Sequence, residues 1–348
     1  MNNLNFIVGA MTALRYFVPL VIEGKKRNLE CFFYLGKDNG KYNSVRRSDN
    51  LNYLISLAKI LGVHLRDHSD VRNSSGPVFQ IEAECKWEGK NKNNGKKIAI
   101  TYMADYAMGG TYLKCLKDVD HVLFPSKELA KAYGCLSEKN IYFGSPKYDI
   151  EIGNREHICQ KYGIDSSKKF ALYAFPKTRD NSKVNTHLIT SEVKKRGYQI
   201  ICKSRAKDVI PDCEKKYFDK IFYDASWYPH TTMELLSISD FLINFESTTS
   251  KEAILLKKPI IDFKVKPKTN STGERIATFK FLYGYEFFRN ISEKDINQKT
   301  ISKSIDFIVN KDNNKLIDDS LNDCIRKYFF EVKNTCSKII DFALGVNF

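Results

Sequence analysis

Residues Asp240–Phe263 read DFLINFESTTSKEAILLKKPIIDF, and this stretch decides the fold. Phe241 to Phe245 is a short apolar run with the length of a buried strand. Glu246-Ser247-Thr248-Thr249-Ser250 interrupts it and places hydroxyls where a helix starts, a position where Ser or Thr caps well. Lys251 to Leu256 is helix-forming, Pro259 ends it, and Ile260-Ile261 with Phe263 begins another apolar strand. Strand, hydroxyl-rich turn, helix, strand is a βαβ piece of a parallel sheet.

Such a unit offers an anion site. The free N–H groups of the helix's first turn and the hydroxyls of Ser247, Thr248 and Thr249 converge on one spot that suits a phosphate. Glu252, just inside the helix, is placed to accept hydrogen bonds from a ribose diol. An ordinary capped helix, with Glu252 as a favourable first-turn charge, accounts for the same residues.

Outward from this unit, the chain's 348 residues suit two domains of ordinary size. No apolar run reaches the ~18 residues that span a bilayer, and no basic leader with an apolar stretch opens the sequence. The nine cysteines are scattered, with no CxxC pair and no histidine at metal spacing, which reads as buried thiols in a reducing cytoplasm. A formal net charge of +15 implies an acidic partner: nucleotide phosphates, an anionic membrane face, a phosphorylated polymer or nucleic acid. Abundant Lys and Asn from an AT-rich genome account for the same charge. No zinc finger, RNA-recognition signature or basic zipper is present, so no specific nucleic acid is expected.

The N-terminal half repeats the βαβ logic. Asn5–Val8 is a strand, Gly9-Ala10 a tight exit, Met11–Lys26 a helix, and Leu29–Leu35 the next strand, without a GxGxxG fingerprint. Arg15 is either an exposed helix residue or a group that reaches an anionic substrate. His64 and His68 have no third ligand nearby and read as loop residues, so no metal site is expected. Ile98–Tyr102 is a strand ending in MADYAMGG, polar and small residues at a strand's carboxyl end, where open α/β sheets place ligands. Asp105 is the carboxylate there, either a general base or a cap of the next turn. Ile141–Phe143 is a further strand, followed by the Gly144-Ser145-Pro146 turn.

In the C-terminal half, Lys169–Phe175 is a buried strand followed by Pro176-Lys177-Thr178-Arg179-Asp180. Gln199–Lys203 is a strand followed by Lys203, Arg205 and Lys207. Lys177, Arg179, Lys203 and Arg205 thus make two cationic loops suited to a diphosphate. Ser226–Leu236, SWYPHTTMELL, carries Tyr228 and His230 as base contacts, or as the lead-in to a helix capped after Pro229. Asn297–Phe348 forms two or three helices.

The Ser247–Pro259 block resembles the donor-nucleotide motif of GT-B enzymes. It is similar to the "DYSS…D…GKP" signature of CDP-glycerol glycerophosphotransferases and to "DSGG…EEA…GKP" of UDP-GlcNAc 2-epimerases, with Ser247, Thr248, Glu252 and Pro259 at matching spacing. Phe245-Glu246 stands in place of Asp-Tyr or Asp-Ser, and Lys257 in place of the glycine. Gly144, Pro146 and Asp149 match the "G-x-P-x-x-D" hinge signature of both families. Pro176, Thr178 and Arg179 approximate "LYAPTxR" of the glycerophosphotransferases. Their His-Gly pair and the His of an "HPR"-like motif are absent; Asp105 and the cations Lys203, Arg205 and Lys207 stand there.

The resemblance implies an α/β, GT-B-like protein of two doubly wound Rossmann-like domains facing across a cleft. The expected division is 1–155 for the acceptor side, 156–310 for the nucleotide donor, and 311–348 as helices crossing back to the first domain. It implies a glycosyltransferase, possessing no cofactor beyond its substrate, that moves a sugar or polyol phosphate from a CDP- or UDP-linked donor in surface-polysaccharide or teichoic-acid-like synthesis. The implied acceptor is an anionic glycan, lipid-linked or polymeric, and the implied location is the cytoplasm, with contact at the inner membrane face. Asp105 would take the acceptor proton, while Lys177, Arg179, Lys203 and Arg205 would neutralise charge on the leaving nucleotide diphosphate. A nucleotide-sugar 2-epimerase, and a basic nucleic-acid or membrane-surface binder on a degenerate α/β scaffold, are the alternatives.

Overall fold

The computed structural model describes residues 3–37, 44–82, 95–102, 110–176, 184–205, 209–223, 227–264, 268–269, 275–276, 279–329 and 334–346. The chain divides into two compact units: Met1–Ile150 with Lys327–Phe348, and Glu151–Arg326. The segment 311–348 is therefore shared between them.

In Met1–Ile150 the order is β1 (Asn3–Val8), α1 (Leu14–Lys26), β2 (Glu30–Leu35), α2 (Ser48–Leu61), β3 (His64–Asp67), β4 (Val78–Ile81), β5 (Lys97–Ile100), α3 (Gly110–Asp118), β6 (His121–Phe124), α4 (Lys127–Ala132) and β7 (Asn140–Tyr142). Glu151–Arg326 continues with α5 (Arg155–Tyr162), β8 (Lys169–Ala174), α6 (Thr186–Lys194), β9 (Tyr198–Ser204), α7 (Asp212–Lys215), β10 (Lys220–Tyr223), α8 (Thr231–Ile238), β11 (Phe241–Asn244), α9 (Thr249–Leu255) and β12 (Ile260–Lys264). A small antiparallel pair, β13 (Lys268–Thr269) and β14 (Arg275–Ile276), precedes β15 (Phe288–Ser292), α10 (Gln298–Val309) and α11 (Asn314–Cys324). The last helix is α12 (Thr335–Leu344), in the first unit.

Each unit is built on one parallel sheet. The first has the order β3-β2-β1-β4-β5-β6-β7 and the second β10-β9-β8-β11-β12-β15. Parallel strands carry helices on both faces, so their residues are buried on both sides and read as continuous apolar runs. The runs CFFY in β2 and FLI in β11 are buried throughout. Each such side chain taken from water contributes about 1.5–3 kcal/mol. Strand order reverses once in each sheet, between β1 and β4 and between β8 and β11. In open α/β sheets, ligands bind beyond the carboxyl ends of the strands at such a reversal.

The GSPKYD turn has a local role in the first unit. Gly144 sits at φ 87°, and Pro146 opens a 3-10 turn over Pro146–Tyr148 that packs on α1. Asp149 accepts the backbone N–H of Cys336 at 2.7 Å, in the first turn of α12. A Cβ added at Gly144 would lie 2.7 Å from Thr335 Oγ1. Ile339 and Ile340 of α12 are fully buried, and Lys96 Nζ lies 4.3 Å over the Phe342 ring. Among the described residues no helix is long and apolar enough to cross a membrane.

Within the two parallel sheets, two strands were not expected from the sequence. The β10 stretch KIFY is only half-buried at its last three residues, and β15, FRNIS, is buried only at Phe288 and Ile291. Both lie at sheet edges, where one flank is open and apolar continuity is lost.

Candidate functional site

In the second unit the reversal of strand order falls beside the central stretch. The last residue of β11, Asn244, is fully buried, and its amide organises the turn that follows. Asn244 Nδ2 donates to Asp262 Oδ1 at 2.7 Å, to Ser250 Oγ at 2.9 Å and to the Ser247 carbonyl at 3.1 Å. Asp262 pairs with Asn244 across β11 and β12 and is 1% exposed. Its Oδ1 also accepts the Glu246 N–H at 2.9 Å, and its Oδ2 accepts Asn290 Nδ2 at 3.3 Å from β15. A carboxylate taken out of water persists when such donors surround it.

This network explains an unusual backbone. Glu246 adopts φ 49°, a left-handed conformation that costs a residue with a Cβ about 1–2 kcal/mol. The bond from its N–H to Asp262 holds it there, so the chain turns sharply out of β11 into α9. Sequence reading passed over Asn244, Asp262 and Asn290. The available signal was a polar residue at the carboxyl end of an apolar run, Asn after FLI and Asp after II, where a strand would otherwise stay apolar.

The four residues singled out on the turn come together on it. Ser247 Oγ lies 3.1 Å from Thr249 Oγ1 and accepts the Thr249 N–H at 3.4 Å. Thr248 was expected as a capping hydroxyl; it is the residue before the helix but makes no side-chain cap bond, because its backbone is already helical at φ −61°, ψ −9°. The helix begins at Thr249, earlier than the expected Lys251, and spans seven residues. Ser247, Thr248 and Thr249 are half-buried, whereas Glu252, in the first turn, is only 3% exposed.

Lys203, the residue before the last of β9, is 8% exposed. Tyr173 of β8 pairs with Cys202 on one side and with Ile243 on the other, so Lys203 and Asn244 follow at the same level of the sheet. Two strand spacings separate them, about 10 Å. Arg205 follows half-buried just past the strand. His230 is buried in the turn that leads into α8, its Nε2 3.3 Å from Thr232 Oγ1, and Tyr228 of the same turn is half-buried. α8 packs on α9. Lys177, Arg179, Lys207 and, in the first unit, Asp105 lie outside the described residues.

The second unit thus gathers at one sheet end two hydroxyls in contact, a buried carboxylate in a helix's first turn, and a buried ammonium two strands away. Hydroxyls and an ammonium bind phosphate oxygens, and a carboxylate accepts from a diol. Glu246 adds a second buried carboxylate beside the turn, at 6% exposure.

No protein-family model matches the chain, and no curated protein sequence matches it. Solved structures do. The wall teichoic acid polymerase TagF superposes with a TM-score of 0.66 at 13% identity, over 98% of this chain and 88% of that one. A glycosyltransferase from Rickettsia africae superposes at 0.55 and 12% identity, over 99% of both chains. MnaA of S. aureus, solved with UDP, superposes at 0.59 and 12% identity, over 100% of this chain and 98% of that one. With two doubly wound α/β units, each on one parallel sheet, and these likenesses along nearly its whole length, the chain has the GT-B fold.

Proposed function

We propose that this protein is a GT-B-type transferase that binds a nucleotide-activated donor on its second unit. The observation that carries the reading is Glu252, 3% exposed in the first turn of α9, beside the strand-order reversal between β8 and β11. A carboxylate at that position can accept both hydroxyls of a ribose diol. Ser247 and Thr249 face the diphosphate. Lys203 and Arg205, with Lys177 and Arg179, offset the charge that grows on the leaving nucleotide diphosphate. Tyr228 and His230 contact the base.

The donor carries a sugar or a polyol phosphate on CDP or UDP, and the acceptor is an anionic glycan, lipid-linked or polymeric, of a cell-surface polymer. The net charge of +15 supports an anionic acceptor and docking at an anionic inner membrane face.

Thermal unfolding with CDP, UDP, GDP, ADP and CMP, on the wild type and Glu252→Ala, tests the reading. A nucleotide at about a hundred times its dissociation constant stabilises by ~2.7 kcal/mol. One nucleotide that shifts the wild type and not the variant establishes the donor site and names its base. Silence from all five overturns the reading and favours a basic binding protein. Product analysis then separates transfer from 2-epimerisation, which needs no acceptor.

A further inference from the structure

The amino ends of the strands in the second sheet carry a group of cations that the donor turn does not use. Arg155 opens α5, Lys168 and Lys169 lead into β8, and Lys257 and Lys258 lead from α9 into β12. Arg155 donates to the carbonyls of Ser166 at 3.2 Å, of Lys168 at 2.6 Å and of Ile238, which ties α5 to the starts of β8 and β11. β11 and β12 pair Leu242 with Ile260, so Asp240 and Lys258, two residues before each, stand at one level. The carboxylates on these segments are Asp165 and Asp240, and both are engaged. Asp240 accepts the Phe170 N–H at 2.8 Å, and Asp165 accepts the N–H of Ser167 at 3.0 Å and its hydroxyl at 2.8 Å. Among the described residues the ammonium groups of Lys168, Lys169, Lys257 and Lys258 make no hydrogen bond and no ion pair.

Two of these lysines stand where a lysine is costly. Lys257 follows the C-cap of α9 at φ 54°, a left-handed conformation that glycine adopts without strain and that crowds a Cβ. Its N–H and that of Lys258 bond to the Ile254 and Ala253 carbonyls, so the backbone makes the helix stop and the exposed Lys257 side chain is left over. Lys258 is half-buried, and burial lowers its pKa, with Arg155 adding to the shift and Asp240 opposing it. We propose that this edge binds a linear polyanion, a polymer whose phosphate groups are joined in a chain. Five cations against two engaged carboxylates leave the edge positive. Lys169 and Lys258 are separated by β11, two strand spacings or about 10 Å, a length that suits successive phosphates rather than one. Ammonium groups act on phosphate as point charges and demand no single geometry, which suits a flexible chain. Among the described residues no large apolar side chain is exposed on these segments, so the edge lacks the residues that enter a membrane surface. The turn that carries Glu252 lies at the other end of β11, about 13 Å away along Phe241–Asn244, so this edge is separate from it and rests on no reading of the donor.

The test is fluorescence anisotropy of the full chain with fluorescein-labelled linear polyphosphate across a salt series. The result expected is saturable binding whose log affinity falls linearly with log salt, weakened about threefold by Lys257→Gly and about tenfold by Lys168→Gln together with Lys169→Gln. The salt slope falls by about one for each lysine removed. Lys257→Gly relieves the left-handed backbone, so its urea midpoint stays level or rises, and lost binding cannot be lost folding. Lys59→Gln removes one charge from an exposed position of α2 in the first unit and keeps the affinity. No binding, unchanged binding in the edge variants, or equal weakening by Lys59→Gln, the mark of net charge alone, overturns the edge. Orthophosphate that competes equally at the same phosphate concentration overturns the requirement for a chain. Vesicles of phosphatidylglycerol and phosphatidylcholine that bind more tightly than the polymer, and that Lys257→Gly releases, overturn the polymer in favour of a membrane. Running the nucleotide panel on the same samples keeps the two readings apart. Nucleotide silence with lysine-dependent polyphosphate binding removes the donor site and leaves this edge, and the reverse removes this edge alone.

Discussion

The Asp149 carboxylate accepts the backbone N–H of Cys336 at 2.7 Å, although 187 residues of chain separate them. Asp149 closes the GSPKYD turn, and Cys336 lies in the first turn of α12, which α1 packs against. The carboxylate does for α12 what a capping residue does, because Asn334, at the cap position, makes no side-chain cap bond. Burial, and the same carboxylate beside it, push the Cys336 thiol well above the ordinary range, so it stays protonated.

Loss of this socket is measurable. Asp149→Ala should cost about 1 kcal/mol in urea denaturation, the worth of a cap, with Asp149→Asn milder because its carbonyl still accepts. Gly144→Ala should cost more, about 1–3 kcal/mol, since φ 87° disfavours a Cβ and that Cβ would meet Thr335 Oγ1 at 2.7 Å. Equal stability of all three variants would remove the socket as the reason for these residues.

Asp262 holds the β11–α9 turn that is proposed to bind the donor. Asp262→Ala removes one of three acceptors of the Asn244 amide and leaves the Glu246 N–H without its side-chain acceptor, and an orphaned buried donor costs about 1–3 kcal/mol. The expected outcome is a lower urea midpoint together with a smaller nucleotide-induced thermal shift. Full nucleotide response in a destabilised variant would separate the network from the ligand.

Glu252 and Lys203 should divide the donor's contacts. Glu252→Gln weakens nucleosides and nucleotides alike, by the loss of a charge-assisted hydrogen bond, about 1.5–3 kcal/mol. Lys203→Met weakens CDP or UDP more than cytidine or uridine, because an ammonium acts on phosphate. Isothermal titration of nucleoside against nucleoside diphosphate checks this split, and the same ratio in both variants counts against the assigned roles.

Acid sensitivity should appear at Glu192. Lys195, at hydrogen-bond distance, followed by Arg196 and Gln298, holds its carboxyl below the ordinary value. A folded pKa below the unfolded one stabilises above the unfolded value, about 4.3, and that stability is lost as pH falls through the folded value. The urea midpoint of the wild type should therefore drop from about pH 5 downward more steeply than that of Glu192→Gln. Asp306, held low by Arg196, adds to the same limb. Parallel pH profiles would exclude Glu192 as a contributor.

The sequence by itself determined the alternation of strand and helix, the parallel character of both sheets and the turn between β11 and α9. Phe241–Ile243 and Ile260, Ile261 and Phe263 are apolar and buried, as covered parallel strands are, and Pro259 marks the end of the intervening helix. These are local signals, carried by residues near one another in the chain. The GSPKYD turn was legible as a tight turn for the same reason, through Gly144 and Pro146.

Tertiary structure alone decided which distant residues share a site. Asn244 and Asp262 are 18 residues apart and meet because β11 and β12 run side by side in register. Lys203 reaches the level of Asn244 only through the pairing of β9, β8 and β11. Tyr16, Tyr102 and Lys147 are spread over much of the first unit and carry no common motif, yet Tyr102 meets the Tyr16 ring edge-on and Lys147 Nζ lies over it. Their association follows from strand order, which long-range pairing sets and short-range spacing does not encode. β10 and β15 stayed hidden because an edge strand is covered on fewer sides, so its sequence is not held to an apolar run.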